Sequence, residues 1–101
     1  TRLLSSNGVM RYENDMYDGI ISHTKLQSKG AGAWPLLTYW YCIVLSKVGR
    51  KDEAVKLFES YSRNFSKYIP EQFHSKPKAS VSPLCWSHSM FVIAAKELGY
   101  F

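Results

Sequence analysis

The chain has 101 residues, enough for one small domain that buries about two-thirds of its unfolded surface. It has no apolar run of about 20 residues, and its net charge of +5 is spread along the whole sequence. We therefore expect neither a membrane protein nor a nucleic-acid binder. Aromatic residues make up 15% of the chain, which is typical of either a thick core or a pocket that stacks sugar rings.

The first residue is Thr1 rather than Met, which indicates processing, truncation or a fragment. No signal peptide is visible, and the sequence leaves the location open, with the cytoplasm favoured. We interpret Cys42 and Cys85, which lie in apolar helical runs, as small buried thiols; a disulfide is allowed but not required. Neither has a partner at zinc-ligand spacing, so we predict no metal and no other cofactor.

Apolar periodicity and helix-terminal residues predict an all-α chain with three helices. The first spans about residues 34–47, with Pro35 in its first turn and Gly49 just past its end. The second spans about residues 53–64, with Asp52 as its N-cap. The first is apolar on nearly every face, whereas the second is apolar on one face.

The third helix is predicted to begin with Ser82 as its N-cap and Pro83 in its first position, and to run to about Leu98 before Gly99. It too is apolar on most of its circumference, so the predicted order is inner–outer–inner. One amphipathic helix cannot cover two helices that are apolar all round. We therefore expect a slice of a larger helical body, such as an α/α toroid.

Two of the predicted loops carry charged residues that could take part in chemistry. Glu71 follows Pro70 between the second and third helices, where a carboxylate can act as a general base or simply be solvated. Arg11 and Asp15 bracket a Tyr-containing stretch near the start of the chain. The arginine either hydrogen-bonds sugar hydroxyls or pairs with the aspartate to hold the loop.

Two tryptophans allow two interpretations each. Trp34 opens the first helix and Trp86 lies in the third, and either could form a sugar platform or belong to the core. We interpret His88, two residues after Trp86, as a hydrogen-bonded core histidine rather than a catalyst. The sequence contains neither a Gly-rich phosphate loop nor a Ser-His-Asp pattern.

Taken together, these segments resemble the C-terminal part of the glucoamylase-like glycoside hydrolases (family 15). The shared order is Arg11-Tyr12, a Gly-rich lead into Trp34-Pro35, a helical hairpin, Pro70-Glu71-Gln72, and then the Ser-Pro-Leu-Cys-Trp-Ser-His segment of residues 82–88. The spacing between the last two segments is more specific than either alone. The resemblance covers most of the chain and implies one domain, residues 1–101, supplying the last helices of an (α/α)6 barrel.

The resemblance implies an inverting hydrolase that removes α-linked glucose from non-reducing ends or acts on trehalose. It implies that Glu71 is the general base and that Arg11 hydrogen-bonds the substrate. It also implies that Tyr17, Trp34 and Trp86 line the pocket. Family members carry the general acid in their N-terminal half, and no segment here matches it. We therefore expect the remaining barrel, in the same or a separate chain, to be the partner, and this chain alone to be inactive.

The sequence departs from the family in two places. The family's Arg-Tyr-Pro-Glu-Asp reads Arg-Tyr-Glu-Asn-Asp at residues 11–15, so its glutamate is not assigned, and residues 18–29 form a longer link than usual. A competing resemblance is that of residues 48–58 to the turn and second helix of a tetratricopeptide unit, although no second copy follows at a period of about 34 residues. The alternative function is a non-catalytic helical interaction module.

Overall fold

A computed structural model describes residues 2–17, 31–74 and 80–101. Within these ranges the chain is mostly helical, as the sequence predicted, with helices α1 (Pro35–Lys47), α2 (Lys51–Ser62) and α3 (Cys85–Glu97). A small antiparallel hairpin of β1 (Leu4–Ser5) and β2 (Gly8–Val9) precedes them and was not predicted. None of the helices in the described ranges is long and apolar enough to span a membrane.

The predicted start of α1 and the predicted ends of α1 and α3 are confirmed, whereas α2 ends at Ser62, two residues before the predicted end. Pro35 occupies the first turn of α1, where its missing N–H and fixed φ cost nothing. Gly49 and Gly99, which follow α1 and α3, have φ values of +84° and +92°. Glycine adopts this left-handed conformation without the steric penalty that a Cβ brings, so these two residues terminate the helices.

The predicted starts of the other two helices are wrong by about one half-turn. α2 begins two residues early, at Lys51, so Asp52 lies in its first turn and favours the helix through the dipole rather than as a cap. α3 begins at Cys85 rather than at Pro83, with Leu84 in the N-cap position. The Leu84 N–H donates to the carbonyl of Ile69 at 3.0 Å, so the residues before α3 pair with the preceding loop instead of entering the helix.

The core is organised around Tyr39, which is fully buried at the centre of α1. Its ring lies 5.4–5.6 Å from the rings of Phe58 and Tyr61 in α2 and Phe91 in α3, in tilted and edge-on geometries that aromatic pairs favour. Its hydroxyl is 3.1 Å from Ser62 Oγ. One residue therefore joins all three helices.

The hairpin docks on the same helix. The Val9 N–H donates to Thr38 Oγ1 at 2.9 Å, and a Cβ added at Gly8 would lie 2.5 Å from that oxygen and 2.9 Å from the ring of Tyr61. Gly8 also has a φ of +114°. The close approach of the hairpin to α1 therefore requires glycine at this position.

α1 and α3 run parallel to each other. At their beginnings Leu36 and Trp40 lie across a groove from Trp86, and at their ends Lys47 forms an ion pair with Glu97 at 3.3 Å. The short connection through residues 48–50 turns α2 back antiparallel to α1. The helices are thus arranged as two parallel helices with an antiparallel third packed on one side.

As expected if one amphipathic helix cannot cover two helices that are apolar all round, α1 and α3 are not buried on every face in this chain. The side of the α1–α3 pair that lies away from α2 is open because α2 and the loops cover one side of that pair. We call this open surface the α1–α3 face. Its residues are Leu36, Trp40, Val44, Trp86, Met90 and Ile93.

The two cysteines are both free, and they differ in environment. Cys42 is buried as expected, and burial raises the pKa of its thiol to about 12, so it stays protonated. Cys85 is exposed at the first position of α3, which corrects the expectation that it is buried.

Candidate functional site

The candidate site forms around residues 31–34, which lead into the start of α1. Ala33 forms an isolated antiparallel bridge with Phe73, with N–H···O distances of 3.0 and 2.7 Å. The Trp34 N–H donates to the carbonyl of Val9 at 2.8 Å, and the Ala31 N–H donates to that of Asp15 at 2.9 Å. Backbone hydrogen bonds thus bring together three segments that lie far apart in the sequence.

Arg11 and Asp15 form the pair that the sequence allowed as a structural alternative. Arg11 Nε and Nη2 donate to the two carboxylate oxygens of Asp15 at 2.8 and 2.9 Å, and the Tyr17 N–H donates to Oδ1 at 3.0 Å. Burial alone would raise the pKa of Asp15, but the hydrogen bonds from Arg11 and the Tyr17 backbone outweigh it and hold this pKa below its usual value. Asp15 is therefore held ionised, which makes it unsuitable as a proton donor.

The guanidinium of Arg11 lies among aromatic rings. Its carbon Cζ is 4.8 Å from the ring centre of Tyr12, 5.3 Å from that of Tyr17 and 5.0 Å from that of Trp34. These distances are within the range of cation–π attraction. About a third of the Arg11 side chain, 34%, remains exposed, so the cluster has an open side.

Trp34 is the buried member of this aromatic cluster. It is 8% exposed, as the core interpretation expected, and its ring centre lies 6.4 Å from that of Tyr17. Its indole N–H is buried and has no hydrogen-bond acceptor among the described residues. A buried donor normally has a partner, so this unsatisfied N–H is an unusual feature of the cluster.

Glu71 is connected to the cluster through Tyr17, whose hydroxyl donates to Glu71 Oε2 at 3.4 Å. The backbone of Glu71 is fixed separately, because its N–H donates to the carbonyl of Val81 at 2.8 Å. Glu71 is half-buried, so part of the residue remains in contact with solvent. The loop position that the sequence predicted for this carboxylate is confirmed.

Gln72 is the residue that holds these parts in place, although no role was predicted for its side chain. It is 2% exposed. Its Oε1 accepts from the Gly32 N–H at 2.7 Å, and its Nε2 donates to the carbonyl of Tyr17 at 2.9 Å. One amide therefore ties the residue after Glu71 to both segments that face it.

The glycine at position 32, in the segment that leads into Trp34-Pro35, is required by a close contact with His74. A Cβ added there would lie 2.6–2.8 Å from three ring atoms of His74, closer than real Cβ contacts. The imidazole of His74 thus packs directly on the backbone of residue 32. The sequence signal for this contact was the Gly-rich segment itself, but its partner could not be identified from the sequence.

The beginning of α3 is fastened to the loop that carries Glu71. The Ser87 hydroxyl, which is fully buried, donates to the carbonyl of Pro70 at 2.8 Å. His88 Nε2 accepts from the Ile69 N–H at 2.9 Å, which confirms the interpretation of this histidine as hydrogen-bonded. Both contacts place the start of α3 next to the loop.

Four of the five predicted site residues are thus brought together, namely Arg11, Tyr17, Trp34 and Glu71. The fifth, Trp86, is 69% exposed, lies in the groove of the α1–α3 face and does not belong to the core. It is adjacent in the chain to Ser87, which contacts the loop of Glu71. The link at residues 18–29, which is longer than usual for the family, lies outside the described residues.

The described residues contain no group of three His, Cys, Asp or Glu side chains that could hold a metal ion. The chain was also compared with models of protein families, with curated proteins and with solved structures, and none of them matches it. The geometry of the site and the resemblance to the glucoamylase-like glycoside hydrolases are therefore what a function can be proposed from.

Proposed function

We propose that this chain supplies the general base of an inverting, exo-acting α-glucoside hydrolase of the glucoamylase-like kind. The observation that supports it best is the contact between the Tyr17 hydroxyl and Glu71 Oε2, at 3.4 Å. It joins a carboxylate to the Arg–Tyr–Trp cluster across 54 positions of sequence. A general base needs a carboxylate held in a defined orientation, and this contact restrains Glu71 beside the aromatic cluster.

The surroundings of Glu71 are suited to a sugar. Aromatic rings present flat apolar faces to sugar rings, and Tyr17 and Trp34 lie side by side next to the carboxylate. Arg11 uses Nε and Nη2 for Asp15 and keeps its partly exposed edge for hydroxyl groups.

The proposed mechanism uses Glu71 to remove a proton from water while an acid elsewhere protonates the glycosidic oxygen. In inverting enzymes the two carboxyl groups stand about 6.5–9.5 Å apart to admit the water. Asp15 is held ionised by Arg11, so it is not that acid. The resemblance implies that the acid comes from the part of the barrel that we propose as the partner, so we expect the isolated chain not to hydrolyse glucosides.

The helix arrangement supports the proposed (α/α)6 barrel. Such a barrel has mutually parallel inner helices and antiparallel outer ones, and α1, α2 and α3 follow that order. The open α1–α3 face is where further inner helices would pack. Trp86 lies in this face, next to the loop of Glu71, where a second wall of the pocket would form.

The experiment begins with the native protein from source cells, isolated with an antibody to this chain. The proposal predicts a species several times heavier than 11.6 kDa, or a tight complex with a second chain. That species should release glucose from maltooligosaccharides, with the β-anomer appearing first in the NMR spectrum, or from trehalose, with the α- and β-anomers appearing in equal initial amounts. A native 11.6 kDa protein without activity on either substrate would rule the proposal out.

A second candidate, the non-catalytic helical interaction module, is favoured by the open α1–α3 face, since exposed apolar patches mark contact sites. In that case Glu71 is a structural residue. The two candidates differ in folding. A self-sufficient module unfolds cooperatively at equilibrium, whereas a barrel slice without its partner is loose or aggregates. Thermal unfolding followed by near-ultraviolet circular dichroism distinguishes them.

A further inference from the structure

A pocket of about 220 Å³ lies between the end of α2, the loop that follows it, and α3. It is distinct from the α1–α3 face, because α3 contributes His88 and Phe91 to the pocket, whereas Trp86 lies in that face. Glu71 does not line it. Its lining combines aromatic rings with two serine hydroxyls, an imidazole and an ammonium group, and contains no carboxylate. Apolar pockets on which a few polar groups converge are typical of small-molecule sites.

The aromatic rings that form the apolar part of this pocket are fixed by their own packing. Tyr39 is fully buried, and the ring centre of Phe91 lies 5.4 Å from that of Tyr39 and 5.2 Å from that of Phe58. Phe65 packs edge-on against Tyr61, with their ring centres 5.3 Å apart. Rings that are already held in place lose little freedom when a ligand binds. This part of the pocket is therefore preorganised for a flat apolar group.

His88 offers a hydrogen-bond donor at the pocket. Its Nε2 accepts the Ile69 N–H at 2.9 Å, which requires that Nε2 carry no proton, so the proton of the neutral ring lies on Nδ1. Among the residues that the structure describes, this Nδ1–H has no acceptor, and it is not enclosed by them. The imidazole therefore keeps one N–H for a ligand.

The other polar groups at the pocket add donors and positive charge. Lys67 is exposed and forms no ion pair with a carboxylate of the described ranges; its ammonium lies 5.1 Å from the ring centre of Tyr68. Ser62 Oγ is 3.1 Å from the hydroxyl of Tyr39, and when Tyr39 donates to it Ser62 keeps its own proton for a ligand. The exposed Ser66 completes the rim.

The negative end of the α2 dipole, which is next to the pocket, is compensated locally. The carbonyls of Glu59, Tyr61 and Ser62 accept the N–H groups of residues 63, 64 and 65 at 3.1–3.3 Å. Their partial negative charges are thus paired with backbone donors. Lys67 adds a full positive charge at the rim, so the pocket favours a negatively charged ligand.

We propose that this pocket binds a small monocarboxylate with a planar apolar body, such as a benzoate-like acid. The ring of the acid packs on Phe65 and Phe91, and its carboxylate accepts from the Nδ1–H of His88 and from the ammonium of Lys67. The proposal concerns a pocket other than the Glu71 site and does not depend on the hydrolase function.

Both the chemistry and the size of the pocket favour this class of ligand. An ionised carboxylate has acceptors only, and its hydrogen bonds with charged donors are about twice as strong as neutral ones. A neutral sugar carries as many donors as acceptors and is less well matched to a pocket without a carboxylate. A cavity of about 150 Å³ accommodates benzene, so one of about 220 Å³ has room for a six-membered ring and a carboxylate.

The test is a titration of the native-length protein with benzoate, followed through saturation transfer to the ligand signals in the NMR spectrum. For so small a ligand we expect a dissociation constant of about 0.1–1 mM. Benzyl alcohol has the same ring with a neutral group in place of the carboxylate and should bind at least about tenfold more weakly. Inorganic phosphate, titrated by its phosphorus signal, has the charge without the ring and should also bind at least about tenfold more weakly.

Two variants test the donors separately. Lys67→Gln should weaken benzoate binding about fivefold, whereas Lys56→Gln, which makes the same change in charge on the exposed side of α2, should leave it unchanged. His88→Gln keeps an acceptor for the Ile69 N–H and removes the Nδ1–H, so it should also weaken binding about fivefold. Circular dichroism and thermal unfolding establish that each variant keeps the parental fold; if His88→Gln does not, Lys67→Gln and the two comparison ligands decide.

Four results would each overturn the proposal. The first is no saturable binding of benzoate up to about 10 mM. The second is equal affinity for benzyl alcohol, since the carboxylate would then contribute nothing. The third is equal affinity for inorganic phosphate, since the aromatic rings would then contribute nothing. The fourth is a loss of benzoate affinity in Lys56→Gln as large as that in Lys67→Gln, since binding would then follow the net charge and not this pocket.

Discussion

The sharpest structural prediction concerns the side chain of Gln72, whose amide connects three segments of the candidate site. Gln72→Met keeps the length and approximate volume of the side chain and removes both of its hydrogen bonds. The Gly32 N–H and the Tyr17 carbonyl would then lose partners that now lie at 2.7 and 2.9 Å.

The expected magnitude follows from burial. A buried polar group left without a partner costs about 1–3 kcal/mol, and two are affected here, so we expect a loss of about 3 kcal/mol. For a domain of this size each kcal/mol lowers the melting temperature by about 4–8 °C, which gives a decrease of about 12–24 °C. The carbonyl of Tyr17 will also be released, so its contact with Glu71 should weaken.

The assay is urea unfolding followed by circular dichroism and tryptophan fluorescence, because Trp34 lies against Tyr17 and reports on the site. Ser60→Ala is the matched control, since it removes one exposed hydrogen bond to the carbonyl of Leu57. It should change the free energy of unfolding by less than about 0.5 kcal/mol. If Gln72→Met is no more destabilising than this control, the role given to the amide is wrong.

The other two predictions also concern fixed contacts of the site. Asp15→Asn should destabilise the chain by about 2 kcal/mol at pH 7. Because folding lowers the pKa of Asp15, the stabilisation from its ion pair with Arg11 is present above the unfolded pKa of about 4 and is lost as pH falls through the folded pKa. The difference in unfolding free energy between parent and variant should therefore be smaller at pH 2.5 than at pH 7, as measured by urea unfolding. Gly32→Ala should cost about 1–3 kcal/mol because its Cβ meets the ring of His74, and the double variant with His74→Ala should recover most of that loss in thermal unfolding; a strictly additive double variant would show that the contact is not the cause.

The sequence predicted the three helices because their signals are local. Apolar periodicity, a proline in a first turn, and glycines just past the last turns each act within a few positions. The hairpin could not be predicted in the same way, since each of its strands has two residues and no alternation can be recognised over so short a length. Its position depends instead on the contact of Gly8 with Thr38, 30 positions away.

The sequence predicted that α1 and α3 need more cover than α2 supplies, but not which of their residues this chain leaves exposed. Trp40 and Trp86 have the composition of inner-helix residues, yet both are exposed, because composition reports what a helix can bury and not whether a partner is present. The start of α3 was misplaced for a related reason. Ser82 and Pro83 form a strong local start signal, but the Leu84 N–H is engaged by the distant carbonyl of Ile69.

The site was predictable in its residue types and not in its connections. Arg11, Trp34 and Glu71 were nominated from position and resemblance, and the structure brings them together through Tyr17. The roles of Gln72 and Ser87 were not predicted, since a buried amide or hydroxyl carries no sequence pattern that distinguishes it from an exposed one. Such residues are identified only when their backbone partners are known.

The central claim is that Glu71 is a general base, and the most direct measurement is the turnover of an α-glucoside by the native-length protein with Glu71→Gln. The account predicts a decrease in kcat of about 10²–10⁴-fold with an unchanged fold, since glutamine cannot accept the proton from water. Glu53→Gln on the exposed surface of α2 is the control and should retain parental activity. Full activity in Glu71→Gln would contradict the account, because hydrolysis would then proceed without this carboxylate.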